Sequence, residues 1–158
     1  MAERDGLEIE RKFILDDPPF NLNGFKHYEI TQAYISTDPQ IRLRGTGSAY
    51  YLTVKMPSGD VRREFETELT KQQFDALWKK TEPRAIIKTR YIIPMQDGLN
   101  AEYDVYSGFL EGLRTVEVEF ESIEDRDAFM PPEWFGRDVT SDYRYSNAEL
   151  ARTGVIPK

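Results

Sequence analysis

Glu8, Glu10 and Lys12 stand two residues apart near the start of the chain, and Glu117 and Glu119 repeat the spacing towards its far end. In an extended strand, side chains at i and i+2 share a face, so each glutamate pair sets two carboxylates side by side. Such neighbours repel unless something positive lies between them. Mg²⁺ is a suitable guest, because it takes oxygen ligands in an octahedron and is usually held by one or two carboxylates together with phosphate oxygens. Arg42 with Arg44 and Lys88 with Arg90 repeat the spacing with the opposite sign. Arginine can grip phosphate oxygens through two parallel bonds, and lysine acts as a compact charge. Lys12, Lys55, Arg62 and Arg144 extend the basic set, and Glu64, Glu66, Glu102 and Asp104 extend the acidic one as supporting groups. Eight basic residues then oppose eight acidic ones, a balance that makes burial of so much charge tolerable. Lys88 has a further property: Arg90 on the same face lowers its pKa, which suits it to activating a water.

The elements that must position these groups are strands. Period-two alternation marks about eight of them, near 7–14, 28–36, 40–45, 50–56, 61–68, 85–93, 99–106 and 114–121. Gly45-Thr46-Gly47-Ser48, Pro57-Ser58-Gly59-Asp60 and Asp97-Gly98 sit between neighbouring runs and read as hairpin turns. Helices are short. Thr70-Lys71-Gln72-Gln73 is a capping box ahead of Phe74, Leu77 and Trp78, predicting a helix over about 71–80. Ser122 with Asp125 and Ser146 with Glu149 open two more, the first stopped by Pro131-Pro132.

Alternation in Leu7–Phe13 separates Leu7, Ile9 and Phe13 from Glu8, Glu10 and Lys12, and only Arg11 breaks the pattern. Ile41 and Leu43 oppose Arg42 and Arg44; Leu52 and Val54 oppose Thr53 and Lys55; Val116, Val118 and Phe120 oppose Glu117, Glu119 and Glu121. A half-exposed antiparallel sheet, charged toward water, produces this alternation most often. Clustering of like signs argues the other way, since a merely soluble surface intersperses them. If the sheet closes, the ionic faces line its interior and the like-charged pairs become binding groups. Register decides whether Arg62 or Arg63 faces that interior, and alternation favours Arg62.

Composition bounds the remaining choices. The 158 residues suit one domain, 1–158, and the absence of cysteine excludes thiolate catalysis, disulfides and cysteine-ligated metals. A net charge of −7 argues against nucleic-acid and anionic-membrane partners. No stretch approaches the roughly 18 apolar residues that span a bilayer, and Met1–Asp5 has no apolar segment like a signal peptide, so a cytoplasmic address is expected. His27 is the only histidine and reads as a surface or strand-end residue. Phe74, Leu77 and Trp78 read as helix-on-sheet packing, and Pro131–Phe135 as external packing rather than a cover for one mouth of the barrel.

Glu8-Ile9-Glu10-Arg11-Lys12 reads ExExK. It is followed in order by Arg42-Leu43-Arg44, Thr53-Val54-Lys55, Arg62-Arg63-Glu64-Phe65-Glu66, Lys88-Thr89-Arg90, Glu102-Tyr103-Asp104 and Val116-Glu117-Val118-Glu119, and by Thr140-Ser141-Asp142-Tyr143-Arg144-Tyr145-Ser146-Asn147. This series resembles the CYTH superfamily, or triphosphate tunnel metalloenzymes, over essentially the whole chain. Gln32-Ala33-Tyr34 and Trp134-Phe135-Gly136 look most like its bacterial inorganic-tripolyphosphatase branch. The resemblance implies an eight-stranded closed antiparallel β-barrel with a few short flanking helices. It further implies a small-molecule triphosphate as substrate and Mg²⁺, or Mn²⁺, as cofactor.

On that basis Glu8, Glu10 and Glu119 are expected to hold the metal with Glu117 assisting, and a second ion could orient the attacking water. Lys12, Arg42, Arg44, Lys55, Arg62, Arg90 and Arg144 bind phosphates, and a tyrosine–lysine pair at Tyr34 and Lys88 serves catalysis. The same fold also hosts adenylate cyclases and thiamine or nucleoside triphosphatases, and fold does not choose among them. A non-catalytic polyphosphate- or nucleotide-binding module would not need the glutamates, and a charged β domain working through protein contacts would need an exposed apolar patch. A homodimer is left open.

Overall fold

The computed structural model describes residues 3–18, 20–58 and 61–158. Met1, Ala2, Pro19 and the Gly59-Asp60 half of one predicted turn lie outside the described residues. Among the described residues nine strands form: β1 (Glu3–Glu8), β2 (Glu10–Ile14), β3 (Lys26–Thr37), β4 (Gln40–Gly45), β5 (Tyr50–Ser58), β6 (Val61–Leu69), β7 (Ile86–Pro94), β8 (Asn100–Ser107) and β9 (Arg114–Glu119). All pair antiparallel in one sheet ordered β1-β6-β5-β4-β3-β7-β8-β9-β2.

The first and last members of that order are consecutive pieces of one extended segment, so the chain itself joins the sheet's two edges. A nearly closed antiparallel barrel results. The eight expected strands become nine because the segment predicted at 7–14 starts earlier and breaks at Ile9. Before the break it pairs with β6, Glu8 opposite Arg62, and after it with β9, Glu10 opposite Glu119. Such a handover between neighbours is how a sheet without a free edge is made.

Cross-strand partners share a face, and the register runs one ionic face round the barrel. Arg42 stands opposite Thr53, Thr53 opposite Glu66, Lys55 opposite Glu64, Arg90 opposite Asp104, Glu102 opposite Glu117 and Lys12 opposite Glu117. That face points inward. The opposite face carries Ile9, Phe13, Tyr103, Val116 and Val118, buried beneath Phe20, Phe25, Phe129, Trp134 and Phe135. The Phe13 and Phe135 rings lie 4.9 Å apart and those of Phe20 and Trp134 5.2 Å apart. The 131–135 run therefore packs outside the wall, as expected. At about 1.5–3 kcal/mol per fully buried large apolar side chain, this outer layer supplies the hydrophobic stabilisation that the lumen does not.

Arg11, the outlier in the alternation, faces this outer layer and ties it down. Its guanidinium donates to Asp138 at 2.8 Å and to the Phe129 carbonyl at 2.9 Å, while Val139 N–H donates to the Lys12 carbonyl.

Helix α1 (Lys71–Trp78) has the reciprocal Thr70–Gln73 cap and stacks Phe74 on Tyr50 at 4.8 Å. Helix α2 (Ile123–Ala128) is capped by Ser122. Helix α3 (Asn147–Thr153) is capped by Ser146 and ends at Gly154, whose φ of 69° places it in the left-handed region. Ala148, Leu150 and Ala151 of α3 join Tyr145 over Tyr34, Ile86, Tyr106 and Leu110, and this apolar cluster covers one end of the lumen. Among the described residues no helix is long and apolar enough to cross a membrane.

Candidate active site

A cavity of about 210 Å³ occupies the lumen. Of the seventeen site residues singled out from the sequence, it takes in Glu8, Glu10, Lys12, Tyr34, Arg42, Arg44, Lys55, Arg62, Glu64, Glu66, Lys88, Arg90, Glu102, Glu117 and Glu119. Arg62 faces inward, as alternation requires, and Arg63 is exposed. Glu102 and Glu119 also border a groove on the outer surface, which puts them at the open mouth, away from the apolar plug.

Ligand oxygens of Glu8, Glu10 and Glu119 all lie within 4.8 Å of one another. The electrostatics of the group fit a cation. Burial, then Glu117 and Glu8, push the Glu10 carboxyl well above its ordinary range, and it shares a hydrogen bond with Glu117. Burial opposes ionisation of Glu117 too, but Lys12, Arg90 and Lys88 hold it well below that range. Glu8 is buried and is nevertheless held low by the Lys55 ammonium 2.6 Å away. Carboxylates forced to share a proton form a site that a divalent ion can occupy in the proton's place.

The basic side faces them. Thr53 donates to Glu66 at 2.9 Å, and Glu66 receives Arg44 at 3.5 Å and Arg42 at 3.9 Å. The Nε atoms of Arg42 and Arg44 are buried without a hydrogen-bond partner. Buried guanidinium donors left open toward a cavity call for acceptors from a ligand. Arg90 forks onto Asp104, Nε to Oδ1 and one terminal nitrogen to Oδ2, both at 2.8 Å, and reaches Glu102 with the other terminal nitrogen.

Lys88 is almost wholly buried and donates to Asp104 at 2.8 Å. Its pKa is lowered to about 8, first by burial, which the Asp104 carboxylate opposes, with Arg90 contributing after both. The like-charge argument from sequence is therefore right in sign but names a lesser cause. Tyr34 is buried in the plug, and its hydroxyl, raised by burial, stays protonated. No hydrogen bond joins Tyr34 to Lys88 among the described residues, although both line the cavity.

Arg144 stands apart from the residues that line the cavity. It lies on the short 3-10 turn Tyr143–Tyr145, where period-two alternation has no meaning. Its half-exposed side chain folds back onto Asp142 at 2.6 and 2.8 Å, outside the cavity.

A model of the CYTH domain matches residues 6–154 of the chain. The chain belongs to the CYTH domain family. Among curated relatives, an inorganic triphosphatase of Nitrosomonas europaea is 43% identical over 148 residues, 91% of this chain and 96% of that one. Another inorganic triphosphatase, from Acetivibrio thermocellus, is 31% identical over 150 residues, 93% and 94% of the two chains. A crystal structure of an inorganic triphosphatase superposes with a TM-score of 0.67 at 40% identity, covering 96% of this chain and 97% of the other.

This CYTH lumen also contains groups that the charge pattern did not single out: Tyr28, Gln32, Gln40, Ser146 and Asn147. Tyr28, Gln32 and Tyr34 share one face of β3 by the period-two rule, so the signal was present. They escaped notice because they carry no charge. Asn147 is placed by α3, and its amide oxygen accepts from Tyr106 at 2.6 Å. Nothing in the local sequence announces that a helix N-terminal residue ends up in a barrel lumen.

Proposed function

We propose that the protein hydrolyses inorganic tripolyphosphate to pyrophosphate and phosphate, with Mg²⁺ bound by Glu8, Glu10 and Glu119 and Glu117 assisting. The observation that carries this reading is the facing of a three-carboxylate cluster by unpartnered arginine donors inside one cavity. The two relatives of this length named as inorganic triphosphatases support it.

When bound, the ion neutralises charge on phosphate oxygens. The chain's own residues supply the rest. Lys12, Arg42, Arg44, Lys55, Arg62 and Arg90 hold the remaining oxygens and fix the phosphate chain along the lumen, which is the larger part of phosphoryl-transfer catalysis. Asp104 holds both Lys88 and Arg90 in place. Lys88 in its amine form takes a proton from the attacking water, and Tyr34 donates its hydroxyl proton toward the same region.

The direct test is phosphate release from tripolyphosphate with Mg²⁺, beside ATP and thiamine triphosphate and repeated with EDTA. Fast, chelator-sensitive release from tripolyphosphate over the other two is expected. Silence on all three would withdraw the hydrolase reading.

The role of Lys88 makes a pH prediction. Burial lowers its pKa to about 8, so the amine form grows as pH rises through that value. kcat/KM, which reports the free enzyme's groups, is therefore expected to rise close to tenfold per unit below pH 8 and level above it. In Lys88→Arg the rise disappears. A wild-type profile that falls through pH 8 would make Lys88 an ammonium clamp instead.

A further inference from the structure

Gln32 is 1% exposed and lines the cavity among the cations Arg42, Arg44 and Lys88. Its cross-strand neighbours are Arg44 on β4 and Ile86 on β7, the latter part of the plug. Among the described residues its one side-chain hydrogen bond is a long one, Nε2 to the Tyr34 hydroxyl at 3.4 Å. Among the described residues no protein group reaches its carbonyl oxygen.

That oxygen opens on the cavity, where only a ligand or water can complete it. A spacer between two binding strands would be better made from an apolar residue, as Ile30 and Ile86 are on the same faces. A neutral amide has a property that the surrounding charges lack: it accepts a hydrogen bond and donates one from adjacent atoms without adding charge. We propose that Gln32 orients the attacking water, its carbonyl oxygen accepting from the water and its amide nitrogen, steadied by Tyr34, donating to the phosphoryl group under attack.

This assignment rests on the tripolyphosphatase reading. The water oxygen forms a bond to the terminal phosphorus as the bridging P–O bond breaks, its electron pair leaving on pyrophosphate. One water proton passes to the Lys88 amine and the other stays on the new hydrogen phosphate. Gln32 gains and loses nothing. Tyr34 fits as its support: its own carbonyl accepts Glu82 N–H at 2.7 Å, and the β3–β4 register shifts just beyond it, between Tyr34 and Ser36. A bulge at that point re-aims the side chain beside it.

The test compares wild type, Gln32→Leu and Gln32→Glu on tripolyphosphate with Mg²⁺. Leucine keeps the bulk and removes both hydrogen-bonding atoms. A misplaced nucleophile costs about 100-fold, so Gln32→Leu is expected to lose about that in kcat while KM stays within threefold of wild type. Gln32→Glu keeps an acceptor but puts a negative charge toward the phosphate, and is expected to raise KM as well as lower kcat. Binding of non-hydrolysable imidotriphosphate is expected to weaken no more than threefold in Gln32→Leu, which a collapsed lumen would not permit. Gln32→Leu with kcat within twofold of wild type, or with kcat and imidotriphosphate binding lost together, overturns the assignment. A wild type inert on tripolyphosphate overturns the activity reading first, and this one with it.

Discussion

Glu10→Gln is expected to lower kcat/KM on tripolyphosphate by about 10³-fold at saturating Mg²⁺, while the metal-free variant melts higher than the metal-free wild type. The first half follows from the cluster: Glu10 is one of three residues whose oxygens lie within 4.8 Å of each other, and an amide is a neutral, weaker ligand. A 10³-fold loss corresponds to about 4 kcal/mol of transition-state stabilisation, the scale expected when a metal that neutralises phosphoryl charge is loosened.

The second half follows from the same carboxyl's raised pKa, caused by burial and by the neighbouring Glu117 and Glu8. A carboxyl whose folded pKa lies above its unfolded one favours folding below the unfolded value, and that contribution is lost as pH rises through the folded one. Above the unfolded value, holding that carboxyl among its acidic neighbours works against the fold, and glutamine removes that penalty. The measurement is turnover with a Mg²⁺ titration, paired with melting in EDTA. Wild-type turnover in Glu10→Gln would sink the metal assignment, and a lower metal-free melting point would show that Glu10 is held by partners rather than repelled by neighbours. Residues that harm stability while serving a site are the expected signature of function.

How much of this was legible in the chain depends on what alternation carries. It separates two faces of a strand but is blind to which face is enclosed. Glu8, Glu10 and Lys12 alternate with Ile9 and Phe13 equally well in a sheet with charges outward, and the structure instead buries both faces, charges within and Ile9 and Phe13 under the outer layer. Only the clustering of like signs pointed inward, and it did so because closely spaced like charges need a ligand. Arg11 was visible as an exception, yet its reason, Asp138 far along the chain, is a tertiary contact that no local pattern contains. The break at Ile9 was similarly hidden, since it arises from barrel closure and not from a glycine or proline. Arg144 differs for the opposite reason: it belongs to the recognised signature, but a turn rather than a strand carries it, so alternation says nothing about where its side chain goes. Neutral groups such as Gln32 leave no mark on a charge pattern.

Asp104→Ala is expected to lower the thermal midpoint by roughly 10 °C and to abolish most turnover. Asp104 is fully buried and accepts three bonds at 2.8 Å, two from Arg90 and one from Lys88. Burial opposes its ionisation, but those two cations hold its carboxyl below the usual range. Alanine leaves a buried guanidinium and a buried ammonium without their shared anion, and removing one partner of such a pair costs about 3–5 kcal/mol. In a domain of this size each kcal/mol moves the midpoint by about 2–4 °C. Because the folded pKa is depressed, the stability that Asp104 contributes is present above the ordinary aspartate pKa and is lost as pH falls through the folded value. The difference between wild type and Asp104→Ala should therefore shrink in acid. Tripolyphosphate offers the orphaned cations new anionic partners, so saturating ligand is expected to recover more of the midpoint in Asp104→Ala than it adds to wild type. Melting curves with and without tripolyphosphate in EDTA separate the two contributions. A midpoint within 2 °C of wild type would mean that the lumen's cations need no internal anion, and that the balance of charge read from the sequence is not what keeps this interior folded before substrate arrives.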